Sequence, residues 1–400
     1  MQKSVLEKVV DERKRDFRLY FGTCGIINEE TERNILSCLE RKWITYGPMV
    51  DKFERLFAET FGYKRALATG NGTIADTMAF MLPYHVNTKP SLNRFDNEII
   101  VPALAFIAVG EAIYQAGFNP KFVDVDRSTQ NINPDLIKRA ITPKTRAIVA
   151  VHSLGKPCDM DPIVDIAKRH NLVVIEDSCE AHGAKYKGQY VGHFGDAATF
   201  SSFAAHLICT GEGGVVATNK EHIVYALEKI RNHGRNPENL YFDHIALGVN
   251  GKMNDLEASV GIPQVKGFWD TFNKRKENLN YLLEKVDDLK EFVYFNEEEV
   301  HEELSPHAFS LVLKEPRFNY KKLYAYLQDN GIQCKRNFGS IPTQHKAFEF
   351  LGYKIGDFPE SEYVGDNGLH FAVHQDIGCK EMDYASDKLH DYFLNSKFEN

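Results

Sequence analysis

Between residues 97 and 177 the sequence alternates short apolar segments with helical patterns, and this alternation constrains the fold more than any other feature. The apolar segments are rich in β-branched residues, as in Arg146-Ala-Ile-Val-Ala-Val151. Strands of this kind that are joined by helices form a parallel sheet with both faces covered. The predicted strands are 98–101, 121–125, 146–151 and 172–177, and the predicted helices between them are 104–116, 134–141 and 161–170. The sequence therefore predicts an α/β fold with a mostly parallel sheet.

Polar residues stand where the predicted strands end. His152 follows one strand, Asp177 ends the next, and Ser201 follows a further apolar segment. In open parallel sheets, ligands bind outside the carboxyl ends of the strands. We therefore expect these side chains to lie near one edge of the sheet, together with the turn at 70–73.

The turn Gly70-Asn71-Gly72-Thr73 precedes a helical run, 74–82. A glycine-rich turn that opens a helix presents N–H groups and the positive end of the helix dipole, which suits a phosphate. Helix capping alone would also account for this turn.

The segment 199–214 combines two adjacent serines, Ser201 and Ser202, with a single imidazole, His206. A Gly-Glu-Gly-Gly turn follows at 211–214, and a β-branched run comes after it. Hydroxyls and N–H groups beside a basic side chain suit a phosphate-bearing ligand with a proton-transfer group next to it.

After residue 261 the sequence changes to one long helical pattern followed by short strand patterns that alternate with helices. This change predicts two domains, a large one at 1–265 and a smaller α+β domain at 266–400. We expect 1–16 to be helical and 29–61 to form one or two helices broken at 45–48. In the second domain the patterns predict a long helix, a strand, two further helices and an irregular loop lying over the cleft. In chain order, the helices are 266–288, 319–330 and 380–394, the strand is 308–313 and the loop is 339–359.

The composition excludes several classes of protein. The 400 residues carry a formal net charge of −8, which argues against nucleic acid as the main partner. No apolar run approaches the roughly 18–20 residues that span a bilayer, and the N-terminus lacks an apolar signal core, so we expect a cytoplasmic protein. The seven cysteines show no Cys-x-x-Cys spacing, so we expect no metal site, iron–sulfur cluster or disulfide framework.

Eight short motifs occur in order along most of the chain. They are Ile44-Thr-Tyr-Gly-Pro48, Gly72-Thr73, Val101-Pro-Ala-Leu-Ala-Phe106, Phe122-Val-Asp-Val125, Val151-His152, Glu176-Asp-Ser-Cys-Glu-Ala-His-Gly-Ala184, Gly211-Glu-Gly-Gly214 and Arg231-Asn-His-Gly234. Together they resemble the DegT/DnrJ/EryC1/StrS family of nucleotide-sugar aminotransferases. The resemblance implies a pyridoxal phosphate (PLP) enzyme of fold type I, aspartate aminotransferase-like, with a smaller C-terminal domain.

The resemblance also implies a set of cofactor-binding residues. Asp177 would pair with the pyridine nitrogen, Phe106 would stack on the ring, and Glu180 would contact the phenolic oxygen. Asn250 would reach the phosphate of the partner subunit, which implies a homodimer with shared active sites. The residues implied at the phosphate within one subunit are Gly72, Thr73 and Ser201. Without the other motifs, Asp177 could merely cap a strand and Phe106 could be an ordinary core aromatic.

Position 206 departs from the aminotransferases, which carry there the lysine that forms a Schiff base with PLP. Imidazole cannot form one, and its usual pKa near 6.5 lets it exchange a proton at neutral pH. The same change marks a subgroup of sugar 3-dehydratases. One branch has an iron–sulfur cluster and a reductase partner, and its cysteines would fall at 231–250, where this chain has none. The other branch acts on GDP-4-keto-6-deoxy-D-mannose without a cluster, and this chain shares its motifs at 177–180, 200–206 and 367–375.

The resemblance to the second branch implies a reaction. L-glutamate would convert PLP to pyridoxamine phosphate (PMP), and His206 would act as base and then acid while the sugar loses its C3 hydroxyl. The product would be a 4-keto-3,6-dideoxy sugar for a surface polysaccharide such as O-antigen. His233 and His374 are further candidates for substrate contact, with structural roles as their alternative.

Other interpretations of His206 stay open. It could be a core histidine of a non-catalytic homologue that holds PMP or a nucleotide sugar, or one ligand of a metal site. A nucleotide-sugar 4-aminotransferase that works without the lysine is the remaining alternative.

Overall fold

The structure is a computed structural model. It describes residues 17–21, 25–86, 91, 93–239, 242–315 and 317–395. The helix predicted over residues 1–16 lies outside the described residues.

A seven-stranded sheet forms the centre of the large domain. Its strands lie in the order β1-β7-β6-β5-β4-β2-β3, and β7 alone runs antiparallel to its neighbours. The strands are β1 Arg65–Thr69, β2 Glu98–Pro102, β3 Asn119–Val123, β4 Thr145–Val151, β5 Val173–Asp177, β6 Ala197–Ser201 and β7 Gly214–Thr218. The predicted α/β fold with a mostly parallel sheet is confirmed.

Helices cover both faces of this sheet because successive strand residues point to opposite sides. Ile99 and Val149 belong to one core cluster with α3 and α4, whereas Ile100 and Ile148 belong to another with α5 and α6. The helices of the large domain are α1 Glu29–Glu40, α2 Pro48–Phe61, α3 Gly72–Phe80, α4 Ala108–Gln115, α5 Pro134–Ala140, α6 Met160–His170, α7 Glu221–Arg231 and α8 Asp255–Lys266.

Two predictions were wrong, and they concern two segments that pair with each other, one from each predicted domain. The helix predicted at 104–116 begins only at Ala108, because Leu104–Ala105 pairs with a distant two-residue strand, Gly339–Ser340. The segment 339–359 is not an irregular loop, since it contains this strand, the short helix Ile341–Gln344 and a 3-10 helix, Lys346–Leu351. Ile341 and Phe348 are buried in the core beside α4, so the segment anchors to the large domain.

The small domain is built on a four-stranded antiparallel sheet in the order β8-β9-β11-β10. Its strands are β8 Val293–Phe295, β9 Phe309–Leu313, β10 Cys334–Arg336 and β11 Gly368–Phe371. The helices of this part of the chain are α9 Phe268–Lys285, α10 Tyr320–Asp329, α11 Ile341–Gln344, α12 Pro359–Asn367 and α13 Cys379–His390. Helix α11 is the short helix described above.

Helix α9 connects the two cores. Phe268 and Phe272 pack with α2 and α8 of the large domain, and Leu279 and Leu282 pack in the small domain. Leu19, near the start of the described chain, also lies in the small-domain core. The domain boundary at 265/266 stays a prediction. Leu19 packs in the core of the small domain, and Ile341 and Phe348 pack in the core of the large domain.

None of the described helices is both long and apolar enough to cross a membrane. Within the described part of the chain, no disulfide joins the cysteines.

Candidate active site

A cavity of about 480 Å³ lies where strands β4, β5 and β6 end and the small domain covers that edge of the sheet. The large domain contributes the first turn of α3 and the segments that follow the three strands. The small domain contributes residues on and beside its sheet: His307, Lys335, Arg336, Phe338 and His370. The position matches the expectation that ligands bind at the carboxyl ends of parallel strands.

The first turn of α3 lies against the end of β6. Asn71 caps the helix, its side chain accepting a hydrogen bond of 2.9 Å from the Ile74 amide. A Cβ atom at Gly72 would come within 2.8 Å of the Cβ of Ser201, so only glycine permits this approach. The free N–H groups of a helix start, Thr73 and the Ser201 hydroxyl thus meet at one corner of the cavity, an arrangement that binds phosphate well.

Asp177 ends β5 and is only 5% exposed. Its Oδ1 accepts a hydrogen bond of 3.0 Å from the Cys179 amide. A second buried carboxyl, Asp76 on α3, lies beside it, and oxygen atoms of the two aspartates and the Cys179 sulfur all lie within 4.8 Å of one another. Burial raises the pKa of Asp177, and burial together with the Asp177 charge holds the pKa of Asp76 well above its usual range. A cationic ligand group would relieve this charge crowding.

Phe106 presents an aromatic ring to the cavity. Its side chain is 61% exposed although it lies between the sheet and the small domain. Its ring meets Phe338 edge-on at a centroid distance of 6.3 Å. An exposed aromatic ring in a cavity offers a flat surface for a stacked ligand ring.

His206 lines the cavity from the loop after β6. Its amide donates to the Phe203 carbonyl at 2.9 Å, and its carbonyl accepts a hydrogen bond of 3.4 Å from the buried Arg275. Its Nδ1 is buried with no hydrogen-bond partner among the described residues. Burial and the charges of Arg275 and Lys335 lower the pKa of His206 to about 3. The imidazole is therefore neutral at pH 7, and its pKa lies below the usual value of histidine.

Glu180 and His307 form a contact between the domains beside His206. The Glu180 Oε2 accepts a hydrogen bond of 2.8 Å from the Leu154 amide, and its Oε1 lies 3.4 Å from Nε2 of His307. Burial raises the pKa of Glu180 to about 8, and burial and the nearby His206 hold the pKa of His307 well below its usual range. At neutral pH the carboxyl keeps its proton and the imidazole is neutral.

Lys335 and His370 complete the small-domain wall. The Lys335 ammonium lies 4.6 Å from the centroid of the Phe21 ring, and burial lowers its pKa. The Nδ1 of His370 lies 2.9 Å from the Asn337 side-chain oxygen, and burial lowers the pKa of this histidine to about 3. Lys335 and the neighbouring Arg336 are thus the cations of this wall that can meet an anionic substrate group.

The structure brings most of the predicted site residues together. The predicted residues that line the cavity are Gly72, Thr73, Phe106, Asp177, Glu180, Ser201 and His206.

Three predicted residues lie outside this cavity. Asn250 is exposed, and its backbone forms an isolated antiparallel bridge with the backbone of Asn232. His233 is also exposed, in a turn with a φ of +60°. His374 is 1% exposed, and its Nδ1 accepts a hydrogen bond from the Asp376 amide.

Sequence reasoning missed Asp76, His307, Lys335 and His370. Asp76 could have been found, because it lies one helical turn after Gly72 and so faces the same way. The other three come from the small domain, where no local pattern marks them.

Fold and cavity together define the class of the protein: a fold-type-I, PLP-dependent type of enzyme with its site at the sheet edge. The chain matches the DegT/DnrJ/EryC1/StrS aminotransferase family over residues 25–390 and belongs to it. Two of its relatives carry the names of different activities. It is 32% identical to a GDP-4-keto-6-deoxy-D-mannose 3-dehydratase of Yersinia pseudotuberculosis, over 90% of this chain and 96% of that protein. It is also 32% identical to a GDP-perosamine synthase of Escherichia coli O157:H7, over 89% and 93%.

A solved structure of a dehydratase has the same fold as this chain. The E. coli GDP-4-keto-6-deoxy-D-mannose-3-dehydratase with bound hydrated PLP superposes with a TM-score of 0.83 at 29% identity. The match covers 93% of this chain and 99% of that one. PLP is thus the cofactor of this family, as the motifs implied.

The residues of the cavity fit this cofactor. The helix start beside Ser201 suits its phosphate. Asp177 is a buried carboxyl that lines the cavity and accepts the Cys179 amide, which suits pairing with a protonated ring nitrogen. Phe106 offers a ring face between them.

Proposed function

We propose that this chain is a PLP/PMP-dependent 3-dehydratase that removes the C3 hydroxyl of a nucleotide-linked 4-keto-6-deoxy sugar, GDP-4-keto-6-deoxy-D-mannose, with L-glutamate as amino donor. The observation that carries the proposal is His206, which faces the cavity from the position where the aminotransferases of the family have their lysine. The dehydratase relatives make this substrate the leading candidate.

In this proposal the chain holds the cofactor at three points. Thr73, Ser201 and the N–H groups at Gly72 bind the phosphate, Asp177 pairs with the ring nitrogen, and Phe106 stacks on the ring. Glu180, which keeps its proton at neutral pH, donates a hydrogen bond to the phenolic oxygen. When bound, the cofactor supplies the amine that joins the sugar and a ring that withdraws electrons.

His206 moves the proton. Because its imidazole is neutral, it can accept the proton from C4′ of the cofactor and hold it as the imidazolium. The imidazolium gives that proton to the C3 hydroxyl of the sugar, which leaves as water. One residue thus serves as base and then as acid, and no lysine competes for the cofactor at this position.

The proposal includes a homodimer with shared sites. Asn250 is exposed and outside the cavity of its own subunit, which is consistent with a role at the phosphate of the partner subunit. His233 lies on the same exposed surface, and with His374 it would contact the substrate. The enzyme would act in the cytoplasm, in the synthesis of a dideoxysugar for O-antigen or a similar polysaccharide.

A second candidate function is a nucleotide-sugar 4-aminotransferase, which the GDP-perosamine synthase relative favours. The chain would then transfer the amino group of PMP to C4 of the sugar and release no ammonia. A homologue that binds PMP or a nucleotide sugar without turnover is the third possibility.

Product analysis decides among these functions. The protein is incubated with PLP, L-glutamate and the GDP-, CDP- and dTDP-linked 4-keto-6-deoxy sugars in parallel. Ammonia with a sugar deoxygenated at C3 supports the dehydratase, and an amino sugar supports the transferase. No turnover of any of the three supports the binding protein.

Borohydride reduction tests the role of position 206 directly. Incubation with PLP, reduction and intact-mass measurement should show no pyridoxyl adduct at the active site. A stable adduct on a lysine of the cavity, such as Lys335, would contradict lysine-free chemistry.

A further inference from the structure

Asp76 is a buried carboxyl next to the expected position of the cofactor ring, and the proposed function gives it no role. It lies on α3, is 3% exposed, and lines the cavity. Its Oδ1 accepts a hydrogen bond of 2.6 Å from the Thr199 hydroxyl. Thr199 lies directly across from Asp177 in the β5–β6 register, so this hydrogen bond holds Asp76 beside Asp177.

The two carboxyls lie together, and no cationic side chain faces Asp76 among the described residues. The groups that face Asp76 are Thr199 of β6, Asp177 of β5 and Cys179 in the loop after β5, and none of them is cationic. Among the described side chains only His152 acts on Asp177 with a positive charge, and its own nitrogens lie near Glu176 and the Cys158 amide. Two carboxylates this close and this deeply buried cannot both ionise at neutral pH.

We propose that Asp76 is a positioning residue that shares one proton with Asp177, so that the pair presents a single negative charge to the ring nitrogen of the cofactor. Asp76 holds the proton, because it faces the charge of Asp177 and accepts a hydrogen bond only from the neutral Thr199 hydroxyl among the described residues, whereas Asp177 accepts the Cys179 amide and lies near His152. A single negative charge matches the single positive charge of a protonated ring nitrogen. The inference rests on the proposed pairing of Asp177 with that nitrogen.

Infrared spectroscopy tests the shared proton without any cofactor chemistry. The difference spectrum between wild type and Asp76→Asn at pH 7 should contain the carbonyl stretch of a protonated carboxyl, which lies apart from the amide bands. The band of Glu180 cancels, because both proteins contain it. A difference spectrum with only carboxylate bands would show that Asp76 is ionised and would overturn the proposal. Asp76→Ser gives the same comparison if the asparagine variant does not fold.

PLP binding tests the consequence for the cofactor. Asp76→Asn keeps the shape and the neutral charge, so its Kd for PLP at pH 7 should stay within about threefold of wild type. A loss of more than about thirtyfold would mean that the site needs a second negative charge, against the proposal. At alkaline pH the two proteins should diverge in the absorbance of bound PLP, because only the wild type can lose the shared proton.

Asp177→Asn separates this inference from the proposed function. If that variant binds PLP as well as the wild type does, the pairing of Asp177 with the ring nitrogen is wrong. If Asp177→Asn loses PLP binding, and the wild type shows no infrared band of a protonated Asp76, Asp177 does pair with the ring nitrogen. The proposal that Asp76 and Asp177 share a proton is then wrong.

Discussion

The imidazole rings of His206 and His307 lie 5.2 Å apart, centroid to centroid, although one belongs to the large domain and the other to the small domain. His307 is held between this ring and the carboxyl of Glu180, and its Nδ1 is buried without a partner among the described residues. The base of the proposed reaction is therefore formed at a domain interface. Its burial, and hence its low pKa, depends on how the small domain packs against the sheet edge.

Replacement of His206 should separate binding from chemistry. His206→Asn keeps a polar side chain of similar reach but cannot exchange a proton, so we expect PLP and PMP to bind while dehydration falls by about 10²–10⁴-fold. Dehydration is measured as ammonia release, and cofactor binding as absorbance after gel filtration.

His206→Lys is the matched variant. A lysine there should form the borohydride-reducible adduct that the wild type lacks and should favour transfer of the amino group to the sugar. Wild-type dehydration in the asparagine variant would assign the base to another residue.

The close approach of Gly72 to Ser201 predicts the effect of one methyl group. Gly72→Ala puts a Cβ within 2.8 Å of the Ser201 Cβ and 3.1 Å of its hydroxyl oxygen, so the helix start must move away from the strand. Overpacking of this kind costs about 1–3 kcal/mol, and we expect PLP to bind about tenfold more weakly. Fluorescence titration with PLP measures the change.

Gly378→Ala is the control for this prediction. A Cβ at Gly378 would have no heavy atom within 4 Å, and its backbone is extended. Its affinity for PLP should equal that of the wild type. Equal loss in both variants would show that the Gly72 effect is a general loss of stability.

The parts of the site that were predictable come from one local pattern. Asp177 and Ser201 each end a strand of the same sheet, and Gly72 opens a helix, so the sequence placed all three at one edge. His307 and Lys335 were not predictable, because each reaches the cavity only through the docking of the small domain. The start of α4 was missed for the same reason, since Leu104 pairs with Ser340, more than two hundred residues away along the chain.

The raised pKa of Glu180 predicts how stability changes with pH. The folded protein holds this proton up to about pH 8, whereas the unfolded chain releases it near pH 4.5. The wild type therefore loses stability as the pH rises through this range, and Glu180→Gln does not. Between pH 5 and pH 8 the glutamine variant should gain about 2–4 kcal/mol relative to the wild type.

Denaturant unfolding of cofactor-free protein at the two pH values measures this gain. Glu29→Gln is the control, because the side chain of Glu29 is 90% exposed and its replacement should leave the pH dependence unchanged. A constant difference between wild type and Glu180→Gln would show that Glu180 ionises normally in the folded protein.

Arg275 supports the loop that carries His206, so its replacement should lower the reaction rate. This buried guanidinium donates to the His206 carbonyl and, at 2.9 Å, to the Gln375 side chain, and so ties the loop of His206 to α9. Arg275→Met should lower kcat by roughly 10- to 100-fold through misplacement of the imidazole, with PLP affinity nearly unchanged. Arg33→Met, whose parent side chain is 68% exposed, should leave both unchanged. If kcat of Arg275→Met equals that of the wild type, the loop does not need this support.

Pairs of inactive chains test whether two subunits share each site. Asn250→Ala and His206→Asn chains are co-expressed with different tags, and the heterodimer is isolated by two affinity steps. If Asn250 serves the partner's cofactor, both substitutions fall in one site of the heterodimer and the other site is intact, so about half of the wild-type activity should return. Asp177→Asn with His206→Asn is the matched control, because both residues line the cavity of their own subunit and each site then carries one substitution. Failure to recover a heterodimer would contradict the dimer, and an inactive heterodimer would assign Asn250 to the site of its own subunit. Full activity of the Asn250→Ala homodimer would show that Asn250 serves neither site.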